Sequence, residues 1–138
     1  MDYKDIDKVI ESQVKFVKDN SNSVNNRIQI LNSLLISIKH NESRIYEALK
    51  QDLNKHEFES FLSEILLVKK EIKLFVRKLR SWSKKKRVSG SILNFPSGNY
   101  LIPEPYGNVL IITPWNYPFQ LSLTCLLYTS DAADEHSW

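Results

Sequence analysis

Phe58, Phe61, Ile65, Val68, Ile72, Phe75, Leu79 and Trp82 follow one another in alternating steps of three and four residues. A strand would bury every second residue, so this spacing commits the stretch to one long amphipathic helix with a face that something must cover. Leu62, Leu66 and Val76 widen the apolar face beyond the two positions per heptad of a coiled coil. The helix is therefore expected to pack against other parts of a globular fold.

Upstream, Ile6, Ile10, Val14 and Val17 recur at helical spacing over residues 2–19, and the polar run NSNSVNN (20–26) then offers side chains that compete for backbone hydrogen bonds. Ile28, Leu31, Leu35 and Ile38 make a second stripe. It breaks at HNES, where Asn41 is an expected N-cap, and resumes at Ile45, Leu49 and Leu53. Residues 1–90 read as a helical region.

Beyond Trp82 the character changes. SKKKRVSGS reads as a helix end and an exposed connector, its four cations (Lys84, Lys85, Lys86, Arg87) favouring the negative end of the helix dipole. Residues 91–107 are short extended pieces broken by proline and glycine, a hairpin arm suited to an edge. Residues 109–112 (VLII) form a continuous β-branched and aliphatic run, the pattern of a strand buried on both faces of a parallel sheet. Helices, a hairpin and then a buried strand point to the start of an α/β fold.

The net charge of +3 is too small for a dedicated nucleic-acid binder, and no aromatic or glycine-rich binding motif accompanies the cations, so no nucleic-acid partner is expected. Cys125 is the single cysteine, which excludes an internal disulfide or a cysteine-based zinc site, and no metal is expected. The N-terminus lacks the order of a signal peptide and no apolar run approaches the roughly 18 residues of a membrane span, so a cytoplasmic protein with no membrane span is expected.

The chemistry concentrates at NVLIITPWNYPFQ. If residues 109–112 are a parallel strand, TPWNYP lies beyond its carboxyl end, where open α/β sheets place ligands. Pro114 and Pro118 fix their φ angles and make the segment between them a rigid presenter. Asn116 carries two uncharged amide donors suited to a developing oxyanion. On residue chemistry alone a second reading stays open, in which Asn116 caps the next helix and Trp115 fills the core.

The stretch EPYGNVLIITPWNYPFQL (104–121) resembles the segment of NAD(P)-dependent aldehyde dehydrogenases in which E-P-x-G-x-V, a strand and P-W-N-x-P precede the first helix of the cofactor domain. The likeness is to the class that includes fatty-aldehyde and coniferyl-aldehyde dehydrogenases. Arg27, ALKQDLNK (48–55), Glu64-Ile65 and Trp82 match that class in order and spacing. The resemblance implies an α/β fragment with N-terminal helices, a β-hairpin arm and, over residues 108–124, the first strand of a Rossmann-like cofactor domain. It implies that Ile112, Thr113, Pro114 and Trp115 line the cleft for NAD or NADP, and that Asn116 donates to the carbonyl oxygen of an aldehyde substrate as a cysteine attacks it. The catalytic cysteine and glutamate of such enzymes have no counterpart here, and Cys125 follows Asn116 too closely to be the nucleophile. The chain is therefore expected to be the incomplete, inactive first part of an enzyme that is a homodimer when whole. Two other functions remain in view: part of an acyl-CoA or acyl-phosphate reductase of the same superfamily, and a helical interaction module using the 58–82 seam and the KKKR run.

Residues 125–138 are expected to be a non-native tail. Ala48 is the single alanine before it, whereas Ala132 and Ala133 fall together within it, and no asparagine follows Asn116. One permitted back-translation of residues 125–135 resembles the end sequence and adapter used in transposase-based sequencing libraries.

Overall fold

A computed structural model describes residues 3–19, 23–90, 93, 96–104 and 108–131. Helices α1 (Tyr3–Asp19), α2 (Val24–His40) and α3 (Glu42–Leu53) form where the three apolar stripes lie. The expected polar loop is shorter than 20–26. Ser23 caps α2, its hydroxyl accepting the backbone N–H of Asn26 at 3.2 Å, so Val24, Asn25 and Asn26 belong to the helix. Asn41 separates α2 from α3, but its side chain does not cap. Its amide donates back to the Ser37 carbonyl at 2.9 Å and its carbonyl oxygen accepts from Arg44 at 3.2 Å.

Asn54 ends α3 in the left-handed region, φ 53°. Its N–H reaches the Lys50 carbonyl at 3.0 Å and the N–H of Lys55 reaches that of Leu49 at 3.4 Å, which closes the helix and reverses the chain. Asparagine tolerates this conformation better than residues with bulkier side chains. The reversal brings Lys55 into the interior, 8% exposed.

The long seam is one helical path in three parts: α4 (Glu57–Ser60), a π-helical turn Phe61–Ile65, and α5 (Leu66–Trp82). The wider π turn accommodates one residue more than an α turn. As a result two sequence neighbours, Glu64 and Ile65, are both wholly buried. Ile65, Val68, Ile72, Phe75 and Leu79 make the core, covered by Leu31 and Ile38 of α2 and by Leu127 of α6 (Pro118–Asp131). Each such side chain contributes on the order of 1.5–3 kcal/mol by leaving water. The seam is thus occupied within the chain, except at Phe58, which stays exposed.

The hairpin begins earlier than expected. Strand β1 (Lys86–Val88) pairs antiparallel with β2 (Asn99–Leu101), Arg87 opposite Tyr100, so part of the basic run is a strand rather than a connector. Lys85 lies over the Tyr100 ring, 3.8 Å from its centroid. The cationic side chain has found an aromatic face in place of bulk water. Residues 91, 92, 94, 95 and 105–107 of the expected arm lie outside the described residues.

Residues 109–112 form no strand. Leu110 and Ile112 are each 84% exposed and Val109 is exposed too. A parallel strand needs hydrogen-bonding neighbours and helices on its faces, and the one sheet among the described residues is the β1–β2 pair. Among the described residues no helix is long and apolar enough to cross a membrane.

Candidate functional site

Three segments converge at the TPWNYP corner: the reversal after α3, the π turn soon after it, and the start of α6, 55 residues beyond Glu64 at Phe119. Glu64 is the hub. One carboxylate oxygen accepts the backbone N–H groups of Phe119 at 2.9 Å and Gln120 at 3.2 Å, and the other accepts from the Lys55 ammonium. Lys55 also donates to the backbone carbonyl of Asn116 at 2.7 Å and lies over the Tyr117 ring, 4.1 Å from its centroid.

This arrangement decides how the start of α6 is satisfied. The first turn of a helix leaves its N–H groups without intrahelical partners. Pro118 stands at the first helical position and has no N–H to satisfy. The next two donors go to Glu64, and the Tyr117 carbonyl accepts the first intrahelical bond from Leu121 at 3.0 Å. A carboxylate at this end also meets the positive pole of the helix dipole. The capping work that Asn116 was a candidate for is done from another helix.

Asn116 is exposed, and its side-chain amide makes no hydrogen bond among the described residues. Trp115 is 87% exposed, which rules out a core-filling role in this chain. Of the other sequence-derived site residues, Ile112 and Pro114 are exposed and Thr113 is partly buried. The corner therefore presents a donor with two free N–H bonds beside an apolar surface from Ile112 to Trp115.

Two polar residues of this assembly, Lys55 and Glu64, carried no chemical role in the sequence reading. A signal for Glu64 was available: it interrupts an apolar run at FLSEILL, four residues before Val68 on the inward side of the seam. A carboxylate in such a position requires partners.

A cleft of about 520 Å³ lies between α3 and α6, lined by Arg44, Ile45, Leu49, Asp52 and Phe119 among others. It contains neither Asn116 nor residues 112–115, and it adjoins the corner through Pro118 and Phe119. Among the described residues there is no group of three or more His, Cys, Asp or Glu able to hold a metal ion.

The model of the aldehyde dehydrogenase family matches residues 1–128. Over 114 residues the chain is 40% identical to 4,4'-diaponeurosporen-aldehyde dehydrogenase of Staphylococcus aureus (strain NCTC 8325 / PS 47), a match covering 83% of this chain and 25% of that protein. Over 121 residues it is 38% identical to aldehyde dehydrogenase family 3 member B1 of Rattus norvegicus, covering 88% of this chain and 26% of that one. The solved substrate-bound state of Staphylococcus aureus AldH superposes with a TM-score of 0.85 at 37% identity, over 96% of this chain and 29% of the other. The chain spans about a quarter of the length of these curated relatives.

Proposed function

The chain belongs to the aldehyde dehydrogenase family, and from that premise we propose that it is the N-terminal part of an enzyme oxidising an aldehyde to a carboxylic acid with NAD or NADP. The observation that carries the reading is the division of labour at the corner. Glu64 caps α6, which leaves the Asn116 amide free to meet a ligand.

Asn116 is the oxyanion donor. Its amide stabilises charge as it develops on the aldehyde oxygen, an interaction stronger in the transition state than in the bound substrate. The exposed side chains of Ile112 and Trp115 fit one wall of a dinucleotide cleft, with Thr113 and Pro114 completing it; the cofactor itself accepts the hydride when bound. The run 109–112 becomes a strand once the remainder of the enzyme supplies its sheet neighbours. Whole, the enzyme is a cytoplasmic homodimer in which the hairpin lies at an edge open to pairing. The burial of the 58–82 seam against α2 and α6 disfavours the helical interaction module.

The test uses the enzyme encoded by the uninterrupted reading frame. Asn116→Ala is expected to lower kcat about 100-fold or more with little change in cofactor affinity. An unchanged kcat with a fall in cofactor binding would overturn the assignment.

A further inference from the structure

We infer that Lys55 and Glu64 are positioning residues for the oxyanion donor: the buried pair braces the Asn116 corner from beneath and fixes where the free amide points. The inference rests on the reading of Asn116 given above. Lys55 Nζ holds the carbonyl of Asn116 at 2.7 Å, and Glu64 holds the N–H groups of Phe119 and Gln120 at 2.9 and 3.2 Å. The backbone is thus gripped immediately after the donor's Cα and again three and four residues later. Pro118 restricts the segment between the grips.

The two grips are made by one unit. The ammonium contacts the carboxylate, the Asn116 carbonyl and the Tyr117 ring, and the carboxylate accepts from Lys55 and two backbone amides. The side chains of Lys55 and Glu64 are 9% and 0% exposed, so water cannot substitute for either partner. Burying an ion pair costs desolvation and gives little net stability for its own sake. What this pair supplies is geometry: three polar groups of the corner's backbone are tied to the reversal after α3 and to the π turn. Neither Lys55 nor Glu64 contacts the reacting atoms, and both act through the placement of Asn116. A donor displaced by about 1 Å can lose on the order of 100-fold in rate.

The experiment is a double-mutant cycle in the full-length enzyme, with kcat, aldehyde KM and cofactor Kd measured separately. Lys55→Met is expected to lower kcat by roughly 10-fold or more while KM and Kd stay within about twofold. In the Asn116→Ala background the same substitution is expected to change kcat by less than about twofold, because the group being positioned is gone. Equal losses in the two backgrounds, or an unchanged kcat in Lys55→Met alone, would overturn the inference while leaving Asn116 as the donor. An unchanged kcat in Asn116→Ala would overturn the underlying reading and the inference with it. Glu64→Gln keeps an acceptor for the two amides and removes the charge, so it carries the same cycle if Lys55→Met does not fold.

Discussion

Tyr128 meets Phe75 edge-on, ring centroids 5.1 Å apart and planes at 81°, and so completes a cluster in which Trp82 contacts the same phenylalanine at 5.2 Å. The contact joins the last turns of α6 to the middle of α5. Leu127, the residue before Tyr128, joins the buried core cluster from α6.

Leu127 is 1% exposed within that cluster. Leu127→Ala is expected to cost about 2–5 kcal/mol, the range for an aliphatic truncation that leaves a cavity. Urea unfolding of this chain checks it, and a loss below about 1 kcal/mol would show that α6 is loosely docked at this end.

Both packed residues fall in the segment read as non-native, 125–138. Four residues of it fall within the family match, which ends at residue 128. Sequencing the locus from source DNA is expected to show an alanine- and glycine-rich continuation after Thr124. Native codons for CLLYTSDAADE would show that the segment is the protein's own.

A pH-dependent contribution comes from α3. The Tyr46 hydroxyl donates to Glu42 at 2.8 Å, and burial first, then that bond, pushes the phenol from 10.0 up to about 12. The fold disfavours the ionised phenol. The stability this gives is fully present below pH 10 and is lost as pH rises through about 12. Tyr46→Phe is expected to flatten the wild-type decline over that window, measured as the urea midpoint against pH.

On the acid side the Lys69 ammonium, bonded to Glu42 across α3 and α5, holds the Glu42 carboxyl below its usual 4.5. That stability is present above pH 4.5 and is lost as pH falls through the lowered value. Glu42→Gln is expected to remove this part of the acid sensitivity in the same titration.

Asn54 provides a backbone test. Its φ of 53° favours glycine or asparagine, so Asn54→Gly is expected to be nearly neutral and Asn54→Val to cost more than about 1 kcal/mol. Because the reversal delivers Lys55 to the corner, Asn54→Val is also expected to lower kcat in the full-length enzyme. Equal stability of the two variants would show that the αL conformation is not required.

The helices were legible because their signal is local: Ile65, Val68, Ile72 and Phe75 declare the inward face by their own spacing. The run 109–112 was read by its composition, but composition describes the sheet a strand belongs in and cannot supply it. At the corner the sequence offered Asn116 as a donor and left capping open as a second use. Only the spatial approach of Glu64 to Phe119, 55 residues away, removes that second use. Lys55 and Glu64 were missed as a pair because a left-handed residue and a π turn bring them together, and neither leaves a periodic trace.

The π turn at Phe61–Ile65 sets the rotational phase between the two ends of a single rod. Ile65 and the apolar residues of α5 beyond it face the hydrophobic core, whereas Glu64 within the turn faces Lys55 and the corner. Deleting one residue within the turn is expected to restore an ordinary helix and leave the spacing of Val68, Ile72 and Phe75 unchanged. The inward position now shared by Glu64 and Ile65 would then hold one side chain in place of two. Such a chain would retain its helical content and lose the alignment of its polar hub. The surplus residue therefore acts as a phase shifter, letting one helix serve two partners whose angular demands do not coincide.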